Sequence, residues 1–212
     1  MATQLGLRER KKQQTRQAIF EVARRLFAER GFDEVTVADI ARSADVSEVT
    51  VFNYFPTKED LFYGGMQFFE EELLDAVRSR PRGESAVRAF RRRLLETTDR
   101  LRSRERMGAI VQAAETVSAS PSLLAREREI VERYTRRLAE LLAAETRTDP
   151  ADVEPLAAAA ALMGAHRALV DHIRRSVLAG RRGTALVDDA RSQIRRAFGR
   201  LERGLGDYAV RP

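Results

Sequence analysis

The sequence predicts an all-α fold in which a small N-terminal domain is joined to a larger helical one. Hydrophobic residues make up 43% of the 212 positions, enough for a substantial core, while proline and glycine number only 6 and 12. Apolar residues recur three and four positions apart in most segments, which is the spacing of one helix face. Two segments open with a capping residue followed by proline, Ser120-Pro121 and Asp149-Pro150. Together these features predict about nine helices and no strand.

The first helix is predicted over residues 8–30. Its apolar stripe includes Ile19, Ala23 and Leu26, and Gly31 follows at the position where glycine commonly ends a helix. This stripe needs a partner to cover it. We expect the next two segments of the chain to provide that partner.

Two short helices joined by a sharp turn are predicted at 36–44 and 47–54. Thr36 and Ser47 are the kind of residue that caps a helix N-terminus. Asp45 lies where the chain must turn, and aspartate tolerates a left-handed backbone better than most residues. The arrangement predicts a helix-turn-helix, although a plain helical hairpin has similar spacing.

The remaining chain is predicted to be helical, starting with one long helix from Lys58 to about Arg78. Pro81, Arg82 and Gly83 then form the first clear break. We therefore predict a DNA-binding domain over residues 1–57 and a second domain over 58–212. The later helices are predicted at 85–103, 105–117, from 121 onward, 150–178 and 184–205.

Residues Thr36 to Leu61 carry a specific family resemblance. They follow the pattern T-V-x-x-I-A-x-x-A-x-V-S-x-x-T-V-F-x-Y-F-x-x-K-E-x-L, preceded by LFAERGFDEVTV at residues 26–37. This stretch resembles the signature of the tetracycline-repressor (TetR) family of transcriptional regulators. The resemblance covers about residues 10–65. It implies a homodimer, most often a repressor, that binds a palindromic DNA operator and is released by a small-molecule effector.

The resemblance also implies which residues contact DNA. Two positions depart from the family pattern: Phe52 stands where a tyrosine is usual, and Val49 replaces a frequent glycine. Valine methyl groups either contact a thymine methyl or hinder close approach, and Asn53 pairs with adenine or with the DNA backbone. The implied phosphate contacts are Thr36, Tyr54 and Lys58, and the residues implied to face the groove are Ser47, Glu48, Val49, Thr50 and Asn53.

The helices at 150–178 and 184–205 carry more apolar surface than a solvent-facing hairpin needs. Small residues at 157–161 and at Gly164 allow helices to approach closely. On the residues alone this surface is either internal core or a contact with a second copy. The resemblance implies the second, because TetR-like proteins dimerise through their last two helices. Two recognition helices roughly 34–36 Å apart can read two half-sites.

The effector is expected to bind among the helices of the second domain. The candidate residues are mostly apolar, which suggests a lipophilic molecule, although each of them is also typical of ordinary core. The candidates are Phe68, Phe69, Phe90, Met107, Ile110, Tyr134, Met163 and His166.

The net charge of +6 is weak evidence for DNA binding, because it does not lie near the motif. Residues 1–65 contain 10 basic and 10 acidic residues, and the excess lies entirely in the rest of the chain. The exception is a basic arm, Arg8–Arg16, which either is solvated or contacts phosphates or the minor groove. The neutral charge leaves an alternative open: a helical ligand-binding or interaction protein that does not bind an operator.

Composition and spacing argue against catalysis, a cofactor or a metal site. The chain has no cysteine, and its two histidines, His166 and His172, are six residues apart and so do not share a helix face. The acidic run Glu70–Glu72 has no histidine nearby and is interpreted as a solvated helix face. The longest apolar stretch, Leu156–Ala165, is too short to span a bilayer, and no signal peptide is evident. We therefore expect a cytoplasmic protein without membrane contact.

Overall fold

A computed structural model describes residues 6–64 and 67–211, without the side chains of residues 7–9, 67–69 and 104–105. The chain forms two compact units that divide after residue 67. The all-α prediction is confirmed: the described residues form ten α-helices and one 3-10 helix, and their only β-type pairing is an isolated bridge between Ser85 and Val210.

The first unit contains four helices: α1 (Leu7–Arg30), α2 (Val37–Ser43), α3 (Glu48–Tyr54) and α4 (Lys58–Tyr63). Helix α1 ends at Gly31, whose φ of 86° suits glycine, and its N–H donates to the Phe27 carbonyl at 3.0 Å. Because α2, α3 and α4 have only six or seven residues, they are too short to be stable alone. Their stability must come from caps and from packing.

The core of the first unit supplies this packing. Ile19 and Ala23 of α1, Ile40 of α2 and Val51 of α3 are completely buried. Burying an isoleucine or valine side chain contributes about 1.5–3 kcal/mol. Four aromatic rings extend the core, with neighbouring centroids 5.1–6.3 Å apart. They belong to Phe27, Phe32, Phe62 and Tyr63.

The helix predicted from Lys58 to Arg78 is described as two helices, α4 and α5 (Gln67–Arg78). Residues 65–66 between them lie outside the description. Helix α4 belongs by its contacts to the first unit, whereas the sequence prediction assigned it to the second domain. The functional boundary between residues 57 and 58 stays a prediction.

The second unit contains the two longest described helices, α8 (Pro121–Thr146) and α9 (Val153–Leu178), of 26 residues each. These two helices pack against each other, and α10 (Gly183–Leu205) packs against both α9 and α6 (Ala86–Thr97). The helix predicted over 85–103 ends earlier, at Thr97, and continues as a 3-10 helix from Thr98 to Arg102. The remaining helix of this unit is α7 (Arg104–Ala119).

A completely buried arginine, Arg80, joins three parts of the second unit. Its guanidinium donates to Glu145 of α8, to the Ala209 carbonyl at 2.7 Å and to the Glu84 carbonyl at 2.9 Å. Burying a charge is costly unless it is paired and fully hydrogen-bonded, and Arg80 meets both conditions. Arg80 also donates to the Val77 carbonyl of α5, so the C-terminal segment is fixed against α5 and α8. Among the described helices, none is long and apolar enough to span a membrane.

Candidate functional site

Helices α2 and α3 are held at a sharp turn by local hydrogen bonds. Thr36 and Asp39 form a complete capping box, in which each side chain bonds the backbone N–H of the other at 3.1 Å. Asp45 adopts a left-handed φ of 54° at the turn, as its position predicted. The Ser47 Oγ then accepts the Thr50 N–H at 3.1 Å and so caps α3.

The predicted groove residues occupy different environments on α3. Ser47, Glu48, Val49 and Asn53 are exposed, and Val49 is 70% exposed. Thr50 is half-buried, and its Oγ1 lies 2.8 Å from the Ser47 Oγ, so this hydroxyl already has a partner within the cap. Sequence reasoning left Phe52 outside the site, yet its ring is 46% exposed on the same helix.

The residues predicted to contact phosphate also differ in exposure and in the hydrogen bonds that their side chains already make. Thr36 is exposed and its Oγ1 donates to Asp39 at 2.8 Å. Hydrogen bonds from the Thr36 backbone and side chain lower the pKa of Asp39, so this carboxylate stays ionised and keeps the cap intact. Tyr54 is half-buried at the C-terminal end of α3.

Lys58 is occupied inside the first unit. Its Nζ donates to the carbonyls of Phe32 at 2.8 Å, Val35 at 3.0 Å and Asp33 at 3.4 Å, and it lies 4.3 Å from the Phe32 ring centroid. An ammonium group has three N–H donors, and all three have acceptors here. The side chain therefore ties the start of α4 to the loop between α1 and α2. Its phosphate contact stays a prediction, and it requires at least one of these bonds to be released.

The basic arm forms the start of α1. Arg10, Lys11 and Lys12 are exposed, whereas the Arg8 side chain lies outside the described residues. Arg16 is half-buried, with its guanidinium carbon 4.6 Å from the centroid of the Phe55 ring. Three cations of this arm thus lie at the surface of the first unit.

The predicted effector residues are distributed over several parts of the second unit. Met107 and Ile110 pack in a cluster with Val177 and Leu186, at one end of the helical hairpin formed by α9 and α10. Phe90 packs against His166, with ring centroids 6.4 Å apart. Tyr134 and Met163 are also buried. The side chains of Phe68 and Phe69 lie outside the described residues.

Burial determines the protonation of two groups in this unit. The pKa of the buried His166 falls to about 4, because burial disfavours the imidazolium. The Tyr134 hydroxyl has its pKa raised to about 12 by burial and by the nearby Glu70 and Glu71 carboxylates. Both side chains are therefore neutral near pH 7, which suits contact with an uncharged surface.

The acidic run 70–72 is not simply a solvated face, as the sequence suggested. Glu70 is only 5% exposed, and Glu127, Arg133 and Tyr134 of α8 lie near its carboxyl group. Its Oε2 has no hydrogen-bond partner within the described structure. Glu71, by contrast, accepts from Arg137 at 3.0 Å and from the Tyr134 hydroxyl at 3.3 Å. No periodicity distinguishes these adjacent glutamates, so only the packing identifies Glu70 as unusual.

Burial raises the pKa of Glu70 to about 7, and the Glu71 and Glu127 carboxylates add to the effect. The positive charge of Arg133 and the nearby Tyr134 hydroxyl oppose it. No group of three or more potential metal ligands is found within the described residues.

Comparison with known proteins identifies the same segment of the chain as a DNA-binding motif. The family model described as bacterial regulatory proteins, tetR family, matches residues 19–63, which include α2 and α3. The chain is 32% identical over 133 residues to MftR of Mycobacterium tuberculosis, which is named as a putative transcriptional regulator of mycofactocin biosynthesis. The aligned residues cover 60% of this chain and 67% of MftR. The chain belongs to the TetR family. It is thus a transcriptional regulator with a helix-turn-helix, and the family is not one of enzymes.

Further TetR-family relatives extend the similarity. The transcriptional regulator TcmR of Streptomyces glaucescens is 32% identical over 148 residues, which cover 68% of this chain and 66% of TcmR. The aligned regions thus span about two thirds of each relative. In structure, a TetR regulator from Rhodococcus sp. RHA1 shares the fold with a TM-score of 0.50 at 24% identity, covering 90% of this chain and 98% of that one. The SmeT–triclosan complex shares the fold with a TM-score of 0.53 at 17% identity, and the match covers 90% of each chain.

We predict that Lys58→Met loosens the loop between α1 and α2. The variant keeps an apolar stem over Phe32 but removes three charge-assisted hydrogen bonds, so local opening should become easier by about 1.5–3 kcal/mol. Hydrogen exchange of the amides at residues 33–40 measures this. Lys12→Met, which changes an exposed lysine of α1, is the matched control and should leave these rates unchanged. Equal protection in the Lys58 variant and the wild type would contradict the structural role.

We predict that Glu70→Gln stabilises the protein at alkaline pH. Because the folded pKa is raised, the stability due to protonated Glu70 is complete below about pH 4.5 and is lost as pH rises through about 7. The variant should therefore exceed the wild type by roughly 2–3 kcal/mol at pH 8, and the difference should vanish at low pH. Urea unfolding followed by circular dichroism at several pH values measures it.

The matched control is Glu71→Gln on the same helix. The hydrogen bond from Arg137 lowers the pKa of Glu71, so its ionised form is the stabilising one, and it loses that contribution as pH falls. This variant should be less stable than the wild type at pH 8. If Glu70→Gln is no more stable than the wild type at pH 8, then the buried Glu70 carboxylate does not destabilise the fold.

Proposed function

We propose that this TetR-family regulator is a repressor that binds a palindromic DNA operator as a homodimer and is released by a small lipophilic effector. The function is exerted in the cytoplasm, where operator DNA is found in bacteria. Effector and DNA binding are thermodynamically opposed, so each lowers the affinity for the other by the same factor.

The observation that carries the proposal is the orientation of α3. Val51 is completely buried and fixes one side of the helix, while Glu48, Val49 and Asn53 are exposed on the other. A helix of this kind fits the major groove, where side chains reach base edges. Glu48 is suited to accept from cytosine, and Asn53 to pair with adenine.

Phosphate contacts are proposed to fix the position of α3 on the duplex. We assign this role to the Tyr54 hydroxyl and to the exposed Thr36 hydroxyl, whose donor must first release Asp39. The exposed cations Arg10, Lys11 and Lys12 add a salt-dependent attraction, as positive charge near a DNA-binding helix does. Lys58 joins this set only if DNA competes successfully with its three carbonyl partners.

The homodimer is proposed to form through α9 and α10. Helix α9 exposes an apolar and small-residue face that includes Val153, which is 80% exposed, and Leu156, Ala160 and Gly164. An apolar surface along a long helix is stabilised when a second copy covers it. Such a dimer presents two copies of α3 to two half-sites.

The effector is proposed to bind in the second unit, near the buried apolar residues Phe90, Tyr134 and Met163. The support is their chemistry, since mostly apolar surroundings with few polar groups suit a lipophilic molecule. The solved structure of SmeT, which shares the fold, is a complex with triclosan. Effector binding would shift the population away from the state that fits the operator.

Operator binding is tested by selecting DNA from a random pool and measuring affinity against salt. We expect a palindrome, with log affinity falling against log salt with a slope on the order of −5. Tyr54→Phe should weaken binding by about 1 kcal/mol without changing this slope, because it removes one neutral hydrogen bond. Tyr208→Phe removes a hydroxyl from the second unit and should bind as the wild type does. If the selection yields no preferred DNA sequence, the proposal is refuted.

The dimer is tested at Gly164. A Cβ added there meets no atom within 4 Å in the single chain, so Gly164→Glu is expected to leave the fold intact while blocking a second copy. Sedimentation equilibrium should show a dimer for the wild type and a monomer for this variant. Gly108→Glu is the matched control, because a Cβ at the exposed Gly108 of α7 also meets open space. A Gly164→Glu variant that dimerises as tightly as the wild type would contradict the assigned interface.

A further inference from the structure

Two large apolar side chains are exposed on α3, where a polar surface is expected. Across the described residues, six large hydrophobic side chains are exposed: Val49, Phe52, Val153, Leu156, Leu178 and Val210. Four of these belong to the second unit. The two in the described part of the first unit, Val49 and Phe52, both lie on the seven-residue helix α3. This concentration on one short helix is unlike the single scattered exposures that are normal in proteins.

Val49 and Phe52 share one face of α3, because residues three apart lie above one another on a helix. Glu48 and Asn53 flank them and are exposed as well. Thr50 is different: its hydroxyl lies against the Ser47 Oγ at 2.8 Å, within the cap. The outward face of α3 therefore has an apolar centre with one acidic and one amide group at its sides.

The chemistry of this face limits what it can distinguish. Valine and phenylalanine side chains have no hydrogen-bond donor or acceptor to offer to a base edge. The major groove presents one apolar group that depends on sequence, the C5-methyl group of thymine. The thymine methyl group is therefore the base-edge group that an apolar pair facing the groove contacts favourably.

We propose that Val49 and Phe52 read thymine methyl groups, so that each operator half-site places A·T pairs opposite the centre of α3. This inference rests on the proposed operator binding and adds the chemistry by which the operator is chosen. Val49 and Phe52 are then specificity residues, although the family pattern gives neither position to an apolar contact.

The test replaces thymine by uracil, which lacks only the C5-methyl group, at successive positions of the operator selected from a random pool. Affinity of the full-length protein is measured at one fixed salt concentration. We expect uracil opposite α3 to weaken binding by about fourfold for each methyl group removed, the factor for exposing one buried methyl group. Uracil at positions away from α3 should have no effect.

Variants assign the methyl contacts to residues. Val49→Ala and Phe52→Ala should each bind the thymine operator more weakly, and each should lose the sensitivity to uracil at its own position. Val210→Ala, which truncates an exposed valine near the C-terminus, is the matched control and should keep the full sensitivity. Because Val49 and Phe52 are exposed, the variants should fold as the wild type does, which circular dichroism checks.

The outcomes separate this inference from the proposed function. Wild-type protein that binds its operator equally well with uracil at every position overturns the methyl readout and leaves operator binding intact. The methyl readout is also overturned if both alanine variants keep the wild-type sensitivity to uracil, because other side chains would then contact the methyl groups. Failure to select any operator refutes the proposed function, and the inference falls with it.

Discussion

The burial of Val51 is the contact on which the DNA-binding surface depends. Helix α3 has only seven residues, and a helix of that length is not stable alone in water. Val51 fixes it to the core of the first unit, and the Ser47 cap satisfies an N–H that helix formation leaves free. With one side anchored in this way, the opposite side must face outward. The polar and apolar groups on that side are then available to a partner.

The turn between α2 and α3 also fixes the orientation of α3. Asp45 takes the left-handed conformation, and the capping box at Thr36 begins α2 at a defined residue. Both are local features, in which the interacting residues lie within a few positions of one another. For this reason the sequence was sufficient to predict the helix-turn-helix and its caps. The proposed function depends on this rigid local frame more than on the net charge of the chain.

The features that the sequence did not reveal depend on contacts between distant residues. Lys58 reaches carbonyls 23 to 26 positions earlier in the chain, and no pattern in its neighbourhood signals that its donors are occupied. Glu70 and Glu71 are adjacent and chemically identical, yet only Glu70 is buried, because the surrounding helices cover it. Phe52 was left outside the predicted site for a similar reason, because its 46% exposure depends on which side of α3 the core of the first unit covers.

Directed DNA cleavage tests the orientation of α3 most directly. The chain has no cysteine, so Asn53→Cys provides a single attachment point for an iron chelate that cleaves nearby DNA. Bound to its operator, this variant should cleave at two symmetric positions about 34–36 Å apart, one in each half-site. Ser118→Cys, labelled in the same way on α7, should give no cleavage there. Cleavage absent from the Asn53 variant while the protein remains bound would show that α3 does not face the DNA, and would contradict the account.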